Sequence, residues 1–304
     1  KDKFMIYNDS KNVVLVLGAQ GNLGSQIVQE LKESEKGEII AWTRNDCDVM
    51  DIVSTEKSIR KIKPSIVINT VAYNDVDACE TNLDEQRKAI ILNVQLVDCL
   101  ARVCKEINSK LVHFSSNYVF SGDKDSYTEF DTISPINFYG MTKQLGEEAI
   151  LSRINEGLCG SIIRVSNLFG PRGASQSSKP SFFDTIADAA KVRNSLNIVN
   201  DEKCCFTYTK DVAHMVTKML GEENFQGIYH CVNSNPVTWY EAAQKYFNLI
   251  NISIHLQPVE SRSFNRVAKR PKSAVLQSTR TLQMRSYELA LAEYVQKFSK
   301  PNDN

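Results

Sequence analysis

Asn12-Val13-Val14-Leu15-Val16-Leu17-Gly18-Ala19-Gln20-Gly21-Asn22-Leu23-Gly24 is the stretch that decides the fold. Asn12 to Leu17 is a short β-branched, apolar run without alternation, the pattern of a parallel strand buried on both faces. Three glycines at intervals of three follow at once, and a helical period runs from about Asn22 to Glu33. Strand, glycine turn and helix in that order form the context that a dinucleotide-binding turn requires. Gly18 permits the tight turn and Gly21 lets a pyrophosphate approach the backbone. Gly24 lets the helix lie close on the strand, and the helix N-terminus attracts phosphate. Gln20, Asn22 and Leu23 complete the turn and belong to the same candidate cofactor site.

Outward from this unit, apolar strands and helices keep alternating. Glu38 to Thr43 reads as a second strand ending at Arg44, and Ser54 to Lys63 as a helix with Ser54 at its N-cap. Pro64 stops that helix, and Ser65 to Val71 forms a third strand. A helix over Leu83–Ile107 would turn Ile90, Val94, Val97 and Ala101 to one face. Lys110 to Phe114 and Ser161 to Val165 are the fourth and fifth strands. This order implies right-handed crossovers and an α/β, Rossmann-type, doubly wound parallel sheet over residues 1–170. After Pro171 the regularity loosens, and residues 171–304 read mainly as a smaller C-terminal substrate-binding lobe. Helices are expected there at Phe182–Val192, Lys210–Glu222 and Trp239–Leu249, with short strands at Leu196–Val199 and Gly227–Val232 and a weaker one at Ile252–Leu256. Some elements around 195–232 are expected to rejoin the sheet.

The 304 residues carry 36 basic and 36 acidic side chains, so no net field attracts nucleic acid or an anionic membrane. No apolar run approaches the roughly 20 residues of a membrane span, and the first ten residues lack the apolar core of a signal peptide. The eight cysteines show no Cys-x-x-Cys and no cysteine–histidine ladder, so no metal is expected. They read as reduced thiols of a cytoplasmic protein. The adjacent Cys204-Cys205 pair leaves a redox role open.

The chemistry gathers at Tyr139-Gly140-Met141-Thr142-Lys143. A tyrosine and a lysine four apart share one helix face. An ammonium held beside a phenol favours the phenolate, so the Tyr139 pKa is expected to fall from about 10 toward the working range. Such a tyrosine exchanges a proton with a carbonyl or alcohol oxygen. The fourth strand delivers Ser115-Ser116 to the carboxyl edge of the sheet, where open parallel sheets place ligands, and Ala72 to Asp77 would be the loop at the same edge of the third strand. Arg44 stands where NAD-preferring sites carry a ribose-binding acid, and its guanidinium suits a 2′-phosphate. NADPH is therefore the expected cofactor, with NADH the alternative.

These motifs together resemble the extended short-chain dehydrogenases/reductases and, more narrowly, the dTDP-4-dehydrorhamnose reductase family. The likeness covers nearly the whole chain. It rests on Gly18-x-x-Gly21-x-x-Gly24, Asp48-Val49, the Asn69-to-Asp77 loop, Asn93, His113-Phe114-Ser115-Ser116-Asn117-Tyr118-Val119-Phe120 and Tyr139-x-x-x-Lys143. Arg164, Gly170-Pro171-Arg172-Gly173, Asp211-Val212-Ala213 and Ala268-Lys269-Arg270-Pro271 extend it. The resemblance implies Ser116, Tyr139 and Lys143 as catalytic residues, with Tyr139 the proton donor and Lys143 also holding the nicotinamide ribose. It implies cofactor contacts at the glycine turn, Arg44, Asp48, Val49, Ala72, Tyr73 and Asn93, and substrate contacts at Asp77, Ser116, Asn117, Asn167 and Arg270. The implied reaction is hydride transfer from a nicotinamide to a keto group of a nucleotide-linked deoxy sugar, in polysaccharide biosynthesis. A homodimer is compatible with it.

Two departures fall on the substrate side. Asn167 stands where these reductases carry a tryptophan, and Glu202-Lys203-Cys204-Cys205-Phe206-Thr207 replaces a Gln-x-Gly-x-Pro-Thr stretch. A different sugar or base is therefore expected. Gln26 occupies the position of an acidic residue that links some family dimers through a metal, so no metal carries over. The same resemblance leaves two alternatives: a non-catalytic NADP-binding regulatory subunit, as in the methionine adenosyltransferase beta subunit, or a sugar-nucleotide epimerase or dehydratase. The intact Ser116, Tyr139 and Lys143 argue against the first. Asn117-Tyr118, where dehydratases place acids, argues against the second.

Overall fold

A computed structural model describes residues 12–175 and 178–298. The first half winds through β1 (Val13–Leu17), α1 (Asn22–Glu33), β2 (Glu38–Trp42), α2 (Ile52–Ile62), β3 (Ile66–Asn69), α3 (Ala78–Thr81) and α4 (Leu83–Ile90). A π-helical turn at Ile91–Gln95 joins α4 to α5 (Leu96–Glu106), and β4 (Lys110–Ser116), α6 (Phe138–Asn155) and β5 (Gly160–Val165) follow. These strands make a parallel sheet in the order Gly227–His230, β5, β4, β3, β1, β2. Alternate side chains of β1 serve the two faces. Val14 and Val16 pack with Leu23, Ile27 and Leu31 of α1, whereas Leu15 and Leu17 pack with Ile59, Leu96 and Leu100 on the other side. Both faces are covered, which is why the strands read as continuous apolar runs.

The chain leaves β1 toward β2 and returns to β3 on the opposite side, so a crevice opens at the carboxyl ends of β1 and β3. Leu17 pairs with Asn69, which sets Gly18 beside Thr70. Gly18 has φ +77°, and a Cβ there would lie 2.6 Å from Thr70 Oγ1. A Cβ on Gly24 would lie 2.2 Å from the Gly18 carbonyl oxygen, so α1 can start this close to the turn only with glycine.

The lobe contributes α7 (Phe182–Ala190), α8 (Thr209–Met219), α9 (Trp239–Leu249) and α10 (Tyr287–Phe298). Helix α8 packs against α1 under the sheet, and Ser195–Val199 pairs with His255–Val259 in a separate two-stranded sheet. The lobe core is aromatic: Phe169, Phe183, Phe206, Tyr208, Tyr246, Tyr287 and Tyr294. No described helix is long and apolar enough to cross a membrane.

Four local expectations need correction. Asp51, not Ser54, caps α2: its carboxylate accepts the Ser54 N–H at 3.0 Å. The π-helical turn adds a residue to one turn, so Ile90 faces solvent and Ala89, Asn93 and Val97 face inward. The strand expected at Ile252–Leu256 lies at His255–Val259. Helix α10 was not expected at all, although Tyr287, Ala290, Leu291 and Tyr294 keep helical spacing and are buried.

Candidate active site

Helix α6 begins at Asn137, whose side-chain oxygen accepts the Gly140 N–H at 2.7 Å. Asn137 Nδ2 donates to the Lys269 carbonyl at 2.9 Å, and the Phe138 N–H to Glu80 at 3.0 Å. A Cβ on Gly140 would fall 2.2 Å from the Tyr118 carbonyl, so glycine lets α6 lie directly on the turn that follows β4. That contact brings Tyr139 to Ser116. The Tyr139 hydroxyl lies beside the Ser116 hydroxyl, and its ring meets Tyr118 edge-on at 5.7 Å. Ser116 Oγ donates to Asn117 Oδ1 and accepts the Tyr118 N–H, each at 3.2 Å.

Lys143, one turn along α6, is buried and donates to the Phe114 carbonyl at 2.7 Å. Its Nζ lies 3.4 Å from His113 Nε2. Burial lowers its pKa to about 8, with Glu147 acting in the opposite direction. Burial likewise raises Tyr139 to about 12, opposed by the Ser116 hydrogen bond. The expected depression of the Tyr139 pKa is thus corrected. The ammonium is committed to a backbone carbonyl of β4, and desolvation outweighs any charge the tyrosine feels. Tyr139 is therefore a protonated phenol throughout the neutral range, the state that donates.

The glycine turn fits a dinucleotide. Gly21 caps α1 without any side-chain hydrogen bond, which leaves the first N–H groups of a 12-residue helix available to an anion. Arg44 is exposed and makes no ion pair among the described residues. The next acid in the chain, Asp46, is turned back on Thr43, accepting its N–H at 2.8 Å and its hydroxyl at 2.7 Å. Asp48 accepts the Met50 N–H at 3.1 Å, and Val49 packs at the edge of the core. Ser115 Oγ and Ser166 Oγ, at or just beyond the carboxyl ends of β4 and β5, are buried without a hydrogen-bond partner among the described residues. Asn93 is fully engaged. It accepts the Tyr73 N–H at 2.9 Å and donates to the Tyr73 carbonyl and Thr142 Oγ1, each at 3.0 Å. It thereby staples the Ala72-Tyr73 loop to α6.

The residues expected on the substrate side are knitted to the lobe. Asp77 binds Arg270 through two hydrogen bonds of 2.6 and 2.7 Å and also accepts the Ala268 N–H. Asn117 Nδ2 donates to the Ala274 carbonyl at 3.1 Å. Asn167, at φ +32°, turns its amide onto the Cys204 sulfur. The arginines between 262 and 270 are paired: Arg262 with Glu260, Arg266 with Glu202 and Arg270 with Asp77. Cys204 and Cys205 are buried and burial pushes both thiols up, Cys205 to about 11, which removes the thiolate a redox role would need. Among the described residues no three His, Cys, Asp or Glu side chains gather as a metal site.

Asn69 and His113 stand in the sequence reading only as motif positions without a role, and Glu147 does not appear in it. The signal was a polar residue inside an apolar strand pattern, Ile-Val-Ile-Asn69 and Leu-Val-His113-Phe, which demands a buried partner.

Among proteins of known sequence, the family described as RmlD substrate binding domain matches residues 12–300. The spore coat polysaccharide biosynthesis protein SpsK of Bacillus subtilis (strain 168) is 33% identical over 296 residues, spanning 95% of this chain and 99% of that protein. The dTDP-4-keto-6-deoxy-D-glucose reductase of Streptomyces niveus is 30% identical over 264 residues, spanning 86% of this chain and 87% of its own length. Among solved structures, the dTDP-4-dehydrorhamnose reductase of Bacillus anthracis str. Ames in complex with NADP superposes with a TM-score of 0.86 at 30% identity, covering 95% of this chain and 100% of that one.

Proposed function

The chain belongs to the RmlD substrate binding domain family, and from that premise we propose that it reduces the keto group of a nucleotide-linked deoxy sugar at the expense of NADPH. The observation that carries this is the grouping of Ser116, Tyr139 and Lys143 at the carboxyl edge of a sheet whose first turn fits a dinucleotide. That turn would hold NADPH, which would supply the hydride for the carbonyl carbon. Ser116 and Tyr139 hold the carbonyl oxygen, and Tyr139 gives it the proton, so ketone, hydride and proton become the alcohol. Lys143 would hold the nicotinamide ribose. Asp77, Asn117, Asn167 and Arg270 form the substrate wall, with Arg270 as the cation for a diphosphate once Asp77 releases it. The Ser115 and Ser166 hydroxyls, without a partner among the described residues, are available to the carboxamide or the sugar. We place the protein in the cytoplasm, since all eight cysteines are free thiols.

The sugar is the open choice. Related proteins named as reductases act on different dTDP-linked keto sugars. Here Asn167 gives a small amide, bound to Cys204, where the rhamnose-type pattern has a large ring. We therefore expect dTDP-4-dehydrorhamnose to be a poorer substrate than another nucleotide-linked keto sugar. NADPH oxidation against a panel of such sugars tests both points. Efficient turnover of dTDP-4-dehydrorhamnose refutes the specificity and leaves the reductase. Tight NADPH binding with no turnover of any keto sugar refutes the reductase and favours a regulatory subunit.

Arg44→Ala tests the cofactor. Its KM for NADPH should rise about tenfold or more, the loss of a charge-assisted phosphate contact, while the KM for NADH hardly changes. An equal rise for both cofactors would remove Arg44 from the 2′-phosphate.

A further inference from the structure

Asn69, His113 and Lys143 form a buried row across β3, β4 and α6. Its donors and acceptors do not match if the lysine is an ammonium. The Val71 N–H donates to Asn69 Oδ1 at 3.0 Å, which fixes the amide and turns Asn69 Nδ2 toward His113 Nδ1 at 3.1 Å. An amide nitrogen only donates, so His113 Nδ1 accepts, and the neutral ring carries its proton on Nε2. Burial and the neighbouring lysine keep the ring neutral, well below its ordinary pKa. The Nε2–H thus faces Lys143 Nζ at 3.4 Å. An ammonium there sets donor against donor, whereas an amine offers its lone pair.

The other neighbours of Lys143 do not remove this conflict. The Phe114 carbonyl accepts from either form at 2.7 Å. Glu147, on the same helix, favours the charge but is itself bound through both carboxylate oxygens to Arg164 of β5. Tyr139 is uncharged until about pH 12.

We propose that His113 is a positioning residue that makes the charge on Lys143 costly until a pyridine nucleotide binds, so that binding takes up a proton. The inference rests on the reductase reading, in which ribose hydroxyls accept from Lys143 and favour its ammonium form. The sign follows directly. Binding selects the protonated lysine, so affinity is full below the lysine's pKa in the free protein. It falls as the pH rises through that value, with a limiting slope of one decade per pH unit.

The test is NADP⁺ titration of the full chain between pH 7 and 10, above the range where a phosphate monoester titrates. Calorimetry in two buffers of different ionisation enthalpy counts the protons. His113→Gln puts an amide in the place of Nε2, and its oxygen can accept from the ammonium. His113→Asn keeps an acceptor for Asn69 and deletes the Nε2–H. Both variants should retain binding at pH 7 and carry the fall in affinity upward by about one pH unit, a tenfold tighter affinity at the alkaline end. An affinity for NADP⁺ independent of pH in the wild-type protein overturns the inference and leaves the reductase standing. So does a fall that both variants leave in place. If NADP⁺ binds at no pH, the inference and the functional reading fail together.

Discussion

Tyr139→Phe should lower kcat by about 10²–10⁴-fold and change the affinity for NADPH by less than about threefold. The ring is buried against Tyr118, Cys79 and Ala89, and phenylalanine keeps that packing. Only the hydroxyl is lost, and with it the proton for the developing alkoxide. The raised pKa, about 12, makes the expectation sharper. With the phenol protonated across the neutral range, the acid is present in full at every ordinary working pH. Single-turnover reduction with NADPH bound in advance isolates the step. A normal rate in that measurement removes Tyr139 from the chemistry, whatever the steady-state constants do.

Arg164→Met should destabilise the fold by about 3–5 kcal/mol, the cost of leaving one partner of a buried ion pair alone. Arg164 and Glu147 are 2% and 0% exposed. The guanidinium gives Glu147 bonds of 2.9 and 2.6 Å from Nε and Nη2. Its Nη1 lies 3.3 Å from His230 Nε2, and its Cζ lies 5.0 Å from the centre of the Phe120 ring. Removing the arginine strands a carboxylate in a site that water does not reach. For a chain of this size the change corresponds to a fall of roughly 10 °C in Tm. Replacing both partners, as Arg164→Met with Glu147→Leu, should recover much of the loss, because the pair's attraction and its desolvation nearly offset each other. Thermal unfolding of the single and double variants decides the matter. A single variant within about 1 kcal/mol of wild type would mean that the charge is relieved by water, contrary to the packing.

What could be read in the residues follows from what each pattern constrains. Helices α1 and α9 lie where their apolar period and flanking signals set them. At the start of α9 the structure adds a capping box formed by Thr238 and Glu241. The glycine turn was legible because each glycine meets a steric demand that no other residue satisfies. The Tyr139–Lys143 spacing fixed a shared helix face but not the partner of the ammonium. That partner is a backbone carbonyl on β4, and strand carbonyls carry no sequence signature. Ion pairs across the chain, Asp77 with Arg270 and Glu202 with Arg266, escape for the same reason, since complementarity between distant loops follows no local period. Helix α10 gives a weak signal because three of its four buried residues are alanine or tyrosine, which hydropathy reads as indifferent.

The contacts of residues 268–274 with the sheet edge set an order of assembly. Asp77 reaches Arg270 across 193 positions, Asn137 reaches Lys269 across 132, and Asn117 reaches Ala274 across 157. During synthesis from the N-terminus, the glycine turn, Ser116, Tyr139 and Lys143 have all left the ribosome before this segment exists. The half-made chain therefore carries the glycine turn, Ser116, Tyr139 and Lys143 while the segment that meets the sheet edge is still missing. That contact can close only after residues 268–274 have been made, long after the residues they meet at the sheet edge.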